Sequence, residues 1–236
     1  MEKLLACAQK LGVVLNPLQS GQFSTYYTEL IDWNNRFNLT GITDYEGVQL
    51  KHFCDSLTLI PIIEMKPGIK VLDVGAGAGF PGIPLKIAMP DISLTLLEAT
   101  AKKAVFLDHL IQKLGLTNVS VITARAEEAA HQAEYREQFE IVLARAVAPM
   151  PALVELCLPF CKIGGRFIAQ KKGDIIGENQ QAAKAIKLMG GFLRAVKKVD
   201  LEELADERRL VVIDKAGPTP KEYPRRPGTP AKKPIL

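Results

Sequence analysis

Residues 71–85, VLDVGAGAGFPGIPL, constrain the fold more than any other stretch of this 236-residue chain. A short β-rich run ends in an aspartate and breaks into glycines at 75, 77, 79 and 82, with Pro81 and Pro84 among them. That pattern is a strand entering a tight turn and then a helix, the place where a doubly wound α/β sheet receives a nucleotide. Glycine there lets the backbone approach a ligand with no Cβ in the way. Two glycine patterns overlap, and they imply different ligands. Counted from Gly77 the spacing is G-x-G-x-x-G, the dinucleotide fingerprint; counted from Gly75, the first glycine after the strand, it is G-x-G-x-G.

The register and Asp73 favour the second pattern. A pyrophosphate rests on N–H groups of the turn and of the following helix, and Pro81 and Pro84 remove two of them. Asp73, two residues before the first glycine, would repel a phosphate and suits a cationic ligand bearing an amino group. S-adenosyl-L-methionine, with an ammonium, a sulfonium and no phosphate, meets that description. A nicotinamide dinucleotide, and with it an NAD-dependent oxidoreductase, is the less favoured alternative. Asp73, Gly75 and Gly77 are therefore cofactor-binding candidates.

Beyond residue 67 short β-rich runs alternate with helix-like segments. The runs are IKVLDV, ISLTLLE, NVSVIT, FEIVLAR, GRFIAQK and the stretches near 192–199 and 208–213; the helical segments lie at 83–89, 101–114, 127–136, 150–161 and 176–189. Such alternation predicts an α/β fold, a doubly wound Rossmann-like sheet that is mostly parallel and covered on both faces. The last two strands are separated by LEELADE alone, too short for a parallel crossover, so they form an antiparallel hairpin at one edge. Residues 1–66 read as a small helical segment. One helix spans 20–37, with Ser20 as its cap and Phe23, Tyr26, Tyr27, Leu30, Ile31, Trp33 and Phe37 at 3-4 spacing, which assigns Trp33 to the core; another spans 46–59. Residues 216–236 contain six prolines and form a tail or a surface wrap.

Composition narrows the class. Apolar residues are 47% and charged residues 24%, as in ordinary folded proteins. No stretch approaches the about 18 uncharged apolar residues of a membrane span, and the N-terminus MEKLLACAQKLG reads as an amphipathic helix, not a signal peptide, so the expected location is the cytoplasm with no membrane partner. Cys7, Cys54, Cys157 and Cys161 form no C-x-x-C pair and lack histidines at metal-ligand spacing; they read as reduced, mostly buried thiols, with no metal site. Net charge is +4, concentrated at the C-terminus, where residues 215–236 carry six lysines and arginines against Glu222 alone. A basic tail on a near-neutral body suits a polyanion, or serves solubility.

Other strand ends supply further candidates. Glu98 closes the second β-run, where an acidic residue takes a ribose diol in either cofactor class; without the glycine loop it would be a plain surface carboxylate. TARAEE brings Ala126 and Glu127 to the adenine side, or is simply an acidic helix start. LARAVAP puts Arg145 at the carboxyl edge of the sheet. There is no N-P-P-Y and no Pro-Cys, and Cys157 and Cys161 fall late in a helical segment, which disfavours covalent catalysis.

The combination of W-N-x-x-x-N-L-T (33–40), H-x-x-D-S-L (52–57), DVGAGAGFPGIPL, LLEATAKK, ARAEE, the ARA around Arg145 and YPRRPGTPAKKPIL resembles the RsmG family, also called glucose-inhibited division protein B, over nearly the whole chain. These are bacterial small-subunit ribosomal RNA methyltransferases. The resemblance implies a class I methyltransferase domain over 67–215, S-adenosylmethionine as donor, and 7-methylguanosine in 16S rRNA as product. It also implies a donor site of Gly75, Phe80, Glu98, Ala99, Thr100, Ala126, Glu127 and Arg145. Guanine nitrogen 7 carries an in-plane lone pair and no proton, so no catalytic base is named. The partner is 16S rRNA or the small ribosomal subunit, and nothing requires more than a monomer. RNA-contact candidates are Lys171 and Lys172, Arg225 and Arg226, and His52 with Asp55; the lysines also read as solvated charge, and His52 and Asp55, at i and i+3, equally as partners of each other. A non-catalytic RNA-binding or assembly factor that keeps the cofactor as a structural ligand is the alternative from another class.

Overall fold

A computed structural model of the chain describes residues 1–64, 66–173, 175–204 and 207–236. The N-terminal segment is helical: α1 (Glu2–Lys10), α2 (Pro17–Phe37), α3 (Tyr45–Val48), a π-helical turn (Gln49–Cys54) and α4 (Asp55–Leu57). The expected start of α2 at Ser20 is corrected to Pro17. Asn16 and Gln19 form a reciprocal capping box, at 2.9 and 2.8 Å, which satisfies two amides that would otherwise be orphaned. Proline at the first position costs nothing because its missing N–H has no partner there anyway. The single helix expected over 46–59 is interrupted by the π-helical turn, a distortion that helices tend to carry at functional positions. Cys7 and Cys54 are joined as a disulfide between α1 and that turn, their Cα atoms 6.1 Å apart, which corrects the expectation of four reduced thiols. Cys157 and Cys161 are free and buried.

The sheet has seven strands: β1 (Lys70–Val74), β2 (Ser93–Glu98), β3 (Val119–Thr123), β4 (Phe139–Arg145), β5 (Cys161–Lys172), β6 (Gly191–Val199) and β7 (Arg208–Lys215). Their order is β3-β2-β1-β4-β5-β7-β6, with β1 to β5 mutually parallel and β7 running antiparallel between β5 and β6. The mostly parallel sheet with an antiparallel edge hairpin is thus present. The crossovers carry α5 (Gly82–Ala88), α6 (Ala101–Lys113), α7 (Ala126–Ala129), α8 (Met150–Cys157) and α9 (Ile176–Leu188). Two expected helices are shorter than read: 127–136 shrinks to α7, and α8 gives way to a 3-10 turn (Leu158–Phe160), so that Cys161 opens β5 and is not helical.

Side chains alternate across each strand, which sorts the core into two layers. Val71, Ile141, Leu143 and Ile168 pack under the N-terminal helices, α5 and α6, whereas Leu72, Val74, Val142, Ala144, Phe167 and Ala169 pack under α8 and α9. The same alternation sends Asp73, Arg145 and Gln170 to the face covered by the N-terminal segment. That segment is therefore not an appendage: Gln19 donates to the Ile87 carbonyl at 2.8 Å, and Tyr26 to the Ala78 carbonyl in the glycine loop at 2.5 Å. The C-terminal tail wraps the surface and includes one short helix, α10 (Thr229–Lys232). Among the described residues no helix is long and apolar enough to cross a membrane.

Candidate functional site

The chain order reverses between β1 and β4, and in open α/β sheets the crevice at such a switch point, beyond the carboxyl ends of the strands, receives the ligand. After β1 the loop turns through Gly75, Gly77 and Gly79, at φ +72°, +60° and +95°. Gly75 also needs its missing Cβ, which would lie 2.8 Å from Val147 Cγ2 in the loop after β4. The loop's amides are spent internally. Gly75 and Ala76 donate to the Leu97 carbonyl, Gly77 to Glu98 Oε2 (2.9 Å), Gly79 and Phe80 to the Ala76 carbonyl, and Ile83 to the Gly79 carbonyl. Gly82 N–H, at the start of α5, donates to Asp73 Oδ2 at 2.8 Å. A loop built this way holds no rank of free N–H groups for a pyrophosphate, which a dinucleotide site requires.

Asp73, expected to face the amino group of a cationic ligand, lies beneath the loop. It is completely buried, one carboxylate oxygen engaged by Gly82 and the other, Oδ1, without a hydrogen-bond partner. Burial pushes its pKa up to about 7, against the pull of the Gly82 amide and the Arg145 guanidinium. A Cβ on Gly82 would sit 2.8 Å from Leu96 Cδ2 and 2.9 Å from Asp73 Oδ2, so the fourth glycine is required by this contact and not by a dinucleotide. Asp73 thus ties the loop to the helix from beneath, and its Oδ1 stays a buried acceptor without a partner among the described residues.

Beside the loop lies a cavity of about 220 Å³, which gathers Gly75, Ala99, Ala126 and Glu127 between apolar walls that include Leu97, Val147 and Leu156. Glu98, between the lining residues Leu97 and Ala99 in sequence and 6% exposed, accepts from Gly77 N–H at Oε2 and from Thr100 N–H at Oε1, at 2.7 Å for the latter. Each oxygen retains a lone pair for a further donor. Small residues where a ring would slide in, apolar walls and a fixed acidic acceptor fit the adenosine half of S-adenosylmethionine.

Phe80 and Arg145 belong to a second cluster, on the face covered by the N-terminal helices. The Phe80 ring is 5% exposed and stacks with Tyr26 (5.2 Å between centroids) and His52 (4.4 Å), while Arg145 Cζ lies 5.0 Å from its centre. Arg145 Nη1 donates to Asp55 Oδ2 at 2.9 Å and to the Lys51 carbonyl at 3.1 Å; Arg208 reaches the other Asp55 oxygen at 3.5 Å. The π-helical turn sets His52 and Asp55 side by side against this pair, and Gln170 fixes the next turn by donating to the Asp55 carbonyl at 2.7 Å.

His52 Nδ1 lies 3.2 Å from the Lys51 carbonyl oxygen and 3.3 Å from Arg145 Nη2, and Nε2 is 2.7 Å from Thr40 Oγ1, so both ring nitrogens are engaged. Burial, and then the Arg145 charge, push the His52 pKa down to about 3. The unfolded chain therefore takes up this proton near pH 6.5 while the folded one does not, so the group's contribution to stability is lost as pH falls from about 6.5 toward 3. In an NMR titration the His52 ring signals are expected to stay at their neutral positions from pH 8 down to about pH 4.

The comparisons with known proteins decide between the readings. A family model described as rRNA small subunit methyltransferase G matches residues 19–211. The chain belongs to that family. It is 53% identical over its whole length to the ribosomal RNA small subunit methyltransferase G of Dehalococcoides mccartyi, which it covers completely. It is 46% identical to the Staphylococcus carnosus protein of the same name, over 100% of this chain and 99% of that one. Solved structures add the fold. A SAM-dependent O-methyltransferase of Thermotoga maritima aligns at TM-score 0.53 and 17% identity over 81% of this chain and 72% of that one. A precorrin-6y C5,15-methyltransferase of Geobacter metallireducens aligns at 0.51 and 15% over 68% and 87%. The sheet is that of a class I methyltransferase.

For a member of the methyltransferase G family the RNA candidates matter, and the structure separates them. His52 is buried in the Arg145 cluster. Lys171 Nζ is paired with Glu178 at 2.6 Å and with the Ala148 carbonyl. Arg225 forms a two-pronged pair with Glu155 on α8. Those three, expected to meet RNA, have their polar groups engaged within the protein. Arg226 is exposed; Lys172 is exposed as well but also interacts within the protein, and it is close enough to His52 for its charge to help depress that pKa. Sequence reasoning missed Tyr26, which fits an apolar helical stripe, and Arg208, which opens a strand and carries no motif. It also missed Gly228 and Ala231 of the tail, both of which line the cavity.

Proposed function

We infer that the protein transfers a methyl group from S-adenosyl-L-methionine to nitrogen 7 of a guanine in 16S rRNA, in the bacterial cytoplasm. The observation that carries this reading is the glycine loop itself: its amides are spent on Leu97, Glu98 and Asp73 while small residues open a nucleoside-sized hollow beside it. A phosphate-bearing cofactor has no place to rest there, and a sulfonium nucleoside does. The donor supplies an activated methyl carbon. Gly75, Ala99 and Ala126 would admit the adenine, and Glu98, already positioned by two amides, would accept from the ribose hydroxyls.

The neutral, fully bonded His52 agrees with a reaction that needs no base. Both of its ring nitrogens are in use, and the guanine nitrogen presents its lone pair without losing a proton. What the protein contributes is alignment of nucleophile and methyl carbon, which by itself supplies most of the available acceleration in reactions of this kind. Of the candidate cations, Arg226 and the exposed Lys172 would meet RNA phosphates. Isothermal calorimetry tests the donor reading. Binding of S-adenosylmethionine with no heat from NADH is expected, and the reverse result overturns it.

A further inference from the structure

We propose that the C-terminal strap, residues 223–233, is part of the methyl-donor site, with Gly228 and Ala231 closing the adenosine end of the cavity and Glu127 holding them in place. The proposal rests on the donor reading above and extends it to residues outside the core sheet. Gly228 and Ala231 line the same cavity as Gly75, and Gly228 N–H donates to Glu127 Oε1 at 2.8 Å. Glu127 therefore acts as a positioning residue through its carboxylate, in addition to whatever its backbone offers the adenine. Gly228 sits at φ +80°, a conformation in which glycine is the natural occupant, and it turns the strap into α10.

The strap is built into place and is not a loose tail. Glu155 on α8 is completely buried, and its carboxylate receives Arg225 N (2.8 Å), Nε (2.9 Å) and Nη2 (2.7 Å). A carboxylate buried to that degree is expensive unless it is paired and hydrogen-bonded, so α8 is designed around this arginine. Arg225 Nη2 also donates to the Lys233 carbonyl at 2.8 Å, which closes the strap on itself. On the approach, Arg136 donates to the carbonyls of Thr219, Pro220 and Tyr223, at 2.9, 3.0 and 2.9 Å, and His131 Nε2 contacts the Pro224 carbonyl at 2.8 Å. The basic charges of the tail thus divide in function. Arg225 anchors inward, while Arg226, Lys232 and Lys233 face solvent from the outer side of a pocket wall.

The test compares wild type with Ala231→Trp, which fills the adenosine end from an exposed helix position, and Gly228→Pro, which removes the N–H given to Glu127 and forbids the positive φ. Calorimetry with S-adenosylmethionine and with adenosine alone is expected to show at least tenfold weaker binding of both ligands to each variant. In wild type, hydrogen exchange of residues 223–233 is expected to slow on adding S-adenosylmethionine. Unchanged affinities in both variants overturn the assignment of the strap while leaving the donor reading intact. Should the variants fail to fold, exchange in wild type decides: unaltered protection over 223–233 overturns the proposal. A wild-type chain that does not bind S-adenosylmethionine overturns the donor reading and the strap together.

Discussion

Gly75→Val is expected to weaken S-adenosylmethionine binding at least a hundredfold while the protein stays folded. Two independent costs act on one residue. Gly75 sits at φ +72°, which a β-branched side chain adopts only under strain. Its Cβ would also lie 2.8 Å from Val147 Cγ2, so the loop after β4 must move away. Val147 and Gly75 both line the cavity beside the loop, and displacing either changes its shape. Even alanine at this position meets the same clash, whereas a Cβ at Gly77 would approach nothing nearer than the Gly75 carbonyl oxygen at 3.8 Å and meets only the φ +60° cost. Calorimetry on Gly75→Val and Gly77→Ala should therefore rank the two losses in that order. Equal affinity of Gly75→Val and wild type would mean that the cavity is not the donor site.

Asp55→Ala is expected to cost about 3–5 kcal/mol, because it leaves the Arg145 and Arg208 guanidinium groups buried without their shared carboxylate. For a chain of this size that lowers Tm by about 10 °C, at roughly 2–4 °C per kcal/mol. Asp55 is 1% exposed, so solvent cannot compensate for it. The loss should be larger than for an exposed pair such as Arg36 with Asp32, worth at most about 1 kcal/mol. A thermal melt of Asp55→Ala that coincides with wild type would contradict the view that this ion cluster pins the N-terminal segment to the sheet.

The sheet was legible because each β-run is short, β-branched and separated by a helix-length segment, and the brevity of LEELADE alone marked the antiparallel edge. The pocket was partly legible: Gly75, Ala99, Ala126 and Glu127 do share one cavity, since strand carboxyl ends in this topology converge. Asp73 shows the limit of such reasoning. Its place at the tip of β1 suggested a ligand contact, but strand alternation turns it inward beneath the loop, toward Gly82. Phe80 is a similar case, its ring drawn into a stack with Tyr26 and His52 that no spacing rule announces. Arg225 read as a free cation because charge in a proline-rich segment usually is; only the fold reveals that Glu155, in the apolar sequence of α8, waits for it. The π-helical turn was hidden for another reason, since residues 49–54 have ordinary helical composition and no residue there marks a change of helical period.

Methyl transfer to guanine nitrogen 7 in 16S rRNA can be read from the modified RNA itself. The protein is incubated with radiolabelled S-adenosylmethionine and small ribosomal subunits lacking this modification, and the RNA is digested to nucleosides. Label in 7-methylguanosine alone is the predicted result. Label in a different nucleoside, or none with donor bound, would exclude transfer to guanine nitrogen 7 by this protein.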